Sequence, residues 1–511
     1  MPPSHDRQPQ DPRVISGGMG VRISWWPMAR MVSLMDGLGV VSGTALEVVH
    51  ARTLQDGDPG GHLRRAYAEL GRRQPALAGT LERLVAKHFI EGGRSSRTPY
   101  RPVPIWKLDE VPGLSKGSDS FWEPSEELQA MTVAANFAEV WLAKQGHAGR
   151  VGINYLRKIE RPLPWALYGA LLGGVDYVIV GAGSPPEVPG LIERLARHEP
   201  ASLPLKVFGA SSSSGRFSVL ARPRRLVGPD APELPRPRFL AIVASFELAR
   251  ALAEDPATRP YGFVIEGPEA GGHSAPPARR TFDAQGRPVL VYTQTDRADV
   301  SAIAGLGLPF WLAGSRASPD GLREALALGA AGIQLGTVAA LSGQSGMSPG
   351  LRSDILKLVE RGALEVRADA TVSPTGFPFK VAQVPGTLSE EAVYRQRKRV
   401  CDVAQLQSAY LTPEGRLAFR CPAEPVEDFA RKGGREKNTE GRVCLCNGLL
   451  ATAGLAQVRA DGYVEPPIVT LGESLDSVRG LLAEREAGRD TYAIGKAIRF
   501  VLGGVAPVKS R

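Results

Sequence analysis

The chain has 511 residues, 43% of them hydrophobic, and a formal net charge of +9 from 62 Lys and Arg against 53 Asp and Glu. That hydrophobic share is ordinary for a globular protein, and no run of about 18 apolar residues occurs, which excludes a membrane-spanning helix. The basic residues are scattered and, as between Arg216 and Arg238, interleaved with prolines, so the excess reads as loop surface rather than as a nucleic-acid face. No nucleic-acid or membrane partner is expected.

Residues 1–13 are polar and proline-rich without an apolar core. They read as a flexible N-terminus lacking a signal peptide, which makes a cytoplasmic protein the expectation. Beyond them the pattern alternates short apolar runs with amphipathic stretches, the mark of parallel strands joined by crossover helices. Val14 to Ser16, Val40 to Ser42, Val151 to Tyr155 and Tyr177 to Gly181 are the first four candidate strands. Phe239 to Ser245, Gly262 to Glu266, Pro309 to Ala313 and Gly332 to Leu335 complete eight. Eight parallel strands predict a closed (β/α)8 barrel in residues 14–385, of the α/β class.

A simple barrel needs about 250 residues, so the surplus is assigned to two insertions and a tail. Residues 50–125 carry predicted helices near His62 to Arg72 and Ala76 to Phe89. Residues 203–237 carry a short strand at Lys206 to Gly209. After Pro385 charges rise and all four cysteines appear, so residues 386–511 are expected to form a smaller C-terminal domain.

The richest stretch is Glu266-Gly-Pro-Glu-Ala-Gly-Gly-His-Ser-Ala-Pro-Pro277. Paired glycines after a buried strand let backbone approach a flat ligand closely. A histidine at the strand's carboxyl end can face that ligand and move a proton near neutral pH. Among seven histidines, only His273 has this setting. Asn154 and Gln334 are amides inside apolar strands. They either satisfy each other and backbone, or face a ligand at the barrel mouth.

The Ala-Gly-Gly-His run resembles the motif of the nitronate monooxygenases, formerly 2-nitropropane dioxygenases. Ile15-Ser-Gly-Gly-Met-Gly20, Gly37 to Gly43, Val151-Gly-Ile-Asn-Tyr155, Phe310 to Ser315 and Ala325 to Thr337 match that family's remaining strands in the same order. The resemblance runs over about residues 14–385, and a longer subgroup of the family shares the C-terminal region. It implies an FMN-binding TIM barrel. Gly17, Gly18 and Met19 would lie under the flavin ring with Gly271 and Gly272 near it, Asn154 and Gln334 would bond its polar edge or ribityl chain, and His273 would be the general base or the group that binds nitro oxygens. Gly314 and Ser315 after the seventh strand, with Gly336 and Thr337 after the eighth, would take the phosphate, where barrels of this kind often bind it. Two departures stand out. The family commonly has a second glycine where this chain has Ser315, and a glycine two residues after the histidine where this chain has Ala275, Pro276 and Pro277.

The resemblance therefore implies oxidation of small alkyl nitronates, or nitroalkanes, by O2 to a carbonyl compound and nitrite. The alternative on the same fold is an NAD(P)H-dependent flavin enoyl reductase acting on acyl thioesters. A third reading makes the chain a non-enzymatic flavin or metal protein. Cys401, Cys421, Cys444 and Cys446, clustered in a cytosolic chain, suggest zinc or an iron–sulfur cluster, or else four independent buried thiols. Phe377 and Phe379 either wall a substrate pocket or pack as C-terminal core.

Overall fold

The computed structural model describes residues 11–114, 119–211, 214–279, 281–284, 286 and 288–503. Residues 1–10 of the expected flexible N-terminus lie outside the described residues.

Eight strands form one parallel sheet: β1 (Val14–Ser16), β2 (Gly39–Ser42), β3 (Val151–Leu156), β4 (Tyr177–Gly181), β5 (Arg238–Val243), β6 (Gly262–Glu266), β7 (Phe310–Ala313) and β8 (Gly332–Leu335). The hydrogen-bonded order is β1-β8-β7-β6-β5-β4-β3-β2. Ile15 bridges Leu38 in parallel, and the Ser16 amide donates to the Leu38 carbonyl at 3.0 Å. That contact closes the sheet, so the fold is the expected (β/α)8 barrel.

Strand residues alternate between two cores, as a pleated wall requires. Ile15, Val40, Tyr177, Ile179, Leu240, Val264 and Trp311 fill the barrel interior. Val14, Val41, Ile153, Val178, Val180, Phe263 and Ile265 point outward under the helices. Close packing leaves no slack here. A Cβ on Gly39 would lie 1.9 Å from the Ala29 carbonyl oxygen of the helix Trp26–Ser33.

The amino end of the barrel is plugged. Tyr261 and Tyr177 donate to the Asp11 carboxylate, and the Trp311 indole donates to the Pro12 carbonyl at 2.7 Å. The carboxyl end is the open one, where barrels of this type carry their ligands.

The two insertions meet each other. Ser120 to Trp122 pairs in parallel with Phe217 to Val219, inside a four-stranded sheet that also holds Ala201–Pro204 and Asp109–Glu110. The first insertion carries helices His62–Arg73 and Pro75–His88. The second carries the strand Val207–Phe208, which pairs with Ser408–Leu411 of the C-terminal region.

That C-terminal region returns to the barrel repeatedly. Just before it, Phe379–Ala382 pairs antiparallel with Val366–Asp369. Helix Ile494–Leu502 packs on the barrel helices Trp26–Ser33, Pro319–Ala327 and Thr337–Ala340. Among the described residues no helix is long and apolar enough to cross a membrane.

Candidate active site at the carboxyl end of the barrel

One cavity of ≈ 240 Å³ opens at the carboxyl ends of the strands. About 10–15 Å³ suffices for a single water, so this space is of ligand size. Its wall contains Gly17, Gly18, Met19, Asn154, Gly271, Gly272, His273, Gly314, Ser315, Gln334, Gly336 and Thr337. All eleven cofactor candidates and the candidate catalytic histidine thus share one cavity, drawn from β1, β3, β6, β7 and β8 and the turns after them.

The floor is shaped by close approach. A Cβ on Gly18 would lie 2.1 Å from Asn154 Cβ, so only glycine fits there. The Asn154 amide donates weakly to the Gly18 carbonyl at 3.4 Å, and its buried Oδ1 has no partner among the described residues. A buried acceptor without a donor costs about 1–3 kcal/mol, so this oxygen suits a ligand N–H. Asn154 and Gln334 do not bond each other; both line the cavity. After β7 the chain turns through two left-handed residues, Gly314 at φ 85 and Ser315 at φ 53. The departure from glycine therefore falls where a side chain is strained. Thr337 Oγ1 accepts from the Gly472 amide at 2.8 Å, which ties the turn after β8 to the C-terminal region.

The histidine loop is pinned from two sides. The Gly272 amide donates to Thr470 Oγ1 at 2.8 Å, and the Gly272 carbonyl accepts from the Lys380 amide at 2.9 Å. His273 forms an antiparallel bridge with Phe379, whose ring meets the imidazole edge-on at 4.9 Å. A Cβ on Gly271 would lie 2.8 Å from the Leu471 backbone. Phe379 is 2% exposed and serves both as cavity wall and as core, whereas Phe377 is 39% exposed.

His273 Nε2 hydrogen-bonds Ser373 Oγ at 2.7 Å and lies 3.3 Å from Thr375 Oγ1. Burial, helped by the positive charge of Lys158, lowers the imidazole to about 3. His273 is therefore neutral at pH 7, which differs from a base tuned near neutrality. Two groups that the strand pattern had not singled out carry that tuning. Glu266, the last residue of β6, lines the cavity, and burial pushes its carboxyl up to about 7 against the opposing pull of Lys158. Lys158, two residues beyond β3, is brought down to about 8 by burial against the pull of Glu266. The one signal in the sequence was a charged residue at or just past the end of each of two apolar strands.

The four cysteines also converge, but differently. Cys401, Cys421, Cys444 and Cys446 line a second cavity of ≈ 10 Å³ beside the first, and Cys446 borders both. The expectation of zinc or an iron–sulfur cluster finds no support in this arrangement. Among the described residues no three His, Cys, Asp or Glu side chains are arranged to hold a metal ion. Burial pushes the Cys401 thiol up to about 12 and Cys421 higher still, while a hydrogen bond to Cys446 and then burial raise Cys444.

No protein-family model matches the chain. The nitronate monooxygenase npaC of Metarhizium robertsii is 33% identical over 111 residues, 22% of this chain and 28% of that protein. The chain thus matches well under a third of that relative's length. Looser likenesses link it to solved structures: FabK from Thermotoga maritima (15% identity, 97% of this chain and 93% of that one, TM-score 0.46) and a nitroalkane oxidase from Streptomyces ansochromogenes (13%, 96% and 95%, TM-score 0.42). The enoyl reductase domain of MlnA from Bacillus amyloliquefaciens gives 10%, 96% and 94%, with TM-score 0.46. Over those 111 residues the chain is similar to a nitronate monooxygenase.

Proposed function

We propose that the chain is an FMN-dependent oxidoreductase that oxidises small alkyl nitronates with O2 to a carbonyl compound and nitrite. The observation that carries this reading is the single cavity lined by His273 and all eleven cofactor candidates at the barrel's carboxyl end. The residues fit a flavin. Gly18 leaves room for a flat ring against the floor, and Asn154 Oδ1 offers an acceptor otherwise without a donor. Gln334 supplies a second amide, and the turns at Gly314, Ser315, Gly336 and Thr337 offer small residues for a phosphate.

When bound, the flavin supplies the electron acceptance and the reaction with oxygen. The chain supplies position and charge. Ser373 holds Nε2 of a neutral His273, and Nδ1 makes no hydrogen bond among the described residues. That leaves one ring nitrogen for the substrate's oxygens. Phe379 and the Leu471 segment cover the loop and keep water from it. The nicotinamide-dependent reductase is the rival, and one assay separates the two. Purified holoenzyme supplied with propionate 3-nitronate in air should release nitrite without NADH. NADH consumption with an enoyl thioester, and no nitrite, would transfer the assignment to the reductase.

A further inference from the structure

We infer that Glu266 removes the α-proton of a neutral nitroalkane in this cavity, and that Lys158 stabilises the negative charge the substrate then carries. The inference rests on the proposed nitronate chemistry and extends it from preformed nitronates to their conjugate carbon acids.

The barrel's alternation sets the geometry. Phe263 and Ile265 face outward and Val264 faces the interior, so Glu266 follows Val264 on the inner wall at the mouth. Its register partner on β7 is Ala313, another interior residue. Lys158 approaches from the β3 side: its charge acts on both Glu266 and His273, and its ammonium lies 3.4 Å from the Phe377 ring centroid. Phe377 follows the strap whose Ser373 and Thr375 approach His273.

The other titratable groups at the cavity are engaged. Glu269 is paired with Arg297, and Arg316 with Glu324 at 2.6 Å. The Tyr155 hydroxyl donates to the Ala166 carbonyl at 2.9 Å. His273 is tied to Ser373, and Cys446 sits toward the cysteine cavity. The Glu266 carboxylate makes no hydrogen bond or ion pair among the described residues, and Lys158 is the one charge that acts on it. The two are thus coupled without being locked together, which leaves both for a substrate.

The step balances without an oxidant. The C–H bond breaks, its proton passes to a Glu266 carboxylate oxygen, and its electron pair forms the C=N bond, placing the charge on the nitro oxygens. A base is most effective when its pKa lies near the working pH. Glu266 at about 7 meets that condition and His273 at about 3 does not. The sign follows directly. Glu266 must be ionised, so proton transfer rises with pH through about 7. Lys158 must be charged, so it falls again as pH passes about 8.

The test is anaerobic exchange of the nitroethane α-protons in D2O, followed by proton NMR on the holoenzyme. It reads proton transfer without oxidation. Glu266→Gln should slow enzyme-catalysed exchange about 10²-fold or more, and lower nitroethane oxidation far more than oxidation of preformed ethyl nitronate. Glu266→Asp, which keeps a carboxylate, should recover part of the exchange. Lys158→Met should move the rising limb to higher pH, because it removes the charge that lowers Glu266. Bound-flavin absorbance and the thermal midpoint report folding of each variant. Exchange at the wild-type rate in Glu266→Gln, or exchange lost only in His273→Ala, overturns the inference. Nitronate oxidation with no exchange in the wild type overturns it while leaving the proposed function standing. Exchange that depends on Glu266, with no nitronate oxidation, supports the inference and defeats that function instead.

Discussion

The two neighbouring cavities differ in what fills their walls. The larger, ≈ 240 Å³, is built from glycine turns and from polar groups whose partners are missing or weak. The smaller, ≈ 10 Å³, gathers all four cysteines, yet no metal-holding arrangement results among the described residues. Bringing reactive residue types together is therefore not enough to make a site. Space and the ionisation state that the surroundings impose decide what the group can do.

The sharpest way to break this comparison is His273→Ala. Loss of a preorganised hydrogen-bonding group in a water-poor site costs about 10²–10³ in rate, so nitrite formation from nitronates should fall by that factor while bound flavin is retained. Unchanged nitrite formation would remove the larger cavity from the chemistry. Next, Gly18→Val should weaken flavin binding about ten- to hundredfold, since overpacking costs about 1–3 kcal/mol and the new Cβ would meet Asn154. Flavin fluorescence titration measures it. Asn154→Ala should cost about 1 kcal/mol, or about fivefold in flavin Kd, as expected for one hydrogen bond. Ser315→Gly should raise stability by up to about 1 kcal/mol, because it relieves a left-handed non-glycine residue; denaturant unfolding reads this. The smallest effect belongs to the second cavity. A chelator should leave the thermal midpoint unchanged, and elemental analysis should find less than one zinc or iron per chain. A stoichiometric metal lost together with stability would make the cysteines a structural centre after all.

Much of the barrel was legible because its signals are local. β3 and β6 are short apolar runs ending in turns, and the helix at His62 was visible from its own periodicity. The glycine turns were legible for the same reason: Gly314 needs its left-handed φ within a single turn. Glu266 and Lys158 were harder to read, since each is unremarkable until the barrel buries it beside the other. Ser373, Thr375 and Thr470 lie about a hundred residues or more from the histidine loop they hold, and no spacing rule joins them.

The sequence by itself determined the eight strands in order, the glycine and histidine at their carboxyl ends, and the family likeness those motifs carry. Strand period, turn chemistry and buried apolar runs are set by residues a few positions apart. Tertiary structure alone decided the rest. It closed β1 onto β2, brought parts of the C-terminal region to the cavity wall, and gathered the four cysteines around one small cavity. It also set His273, Glu266 and Lys158 at about 3, 7 and 8. Ionisation depends on burial and on charges brought near by distant parts of the chain, and those exist only once the chain has folded.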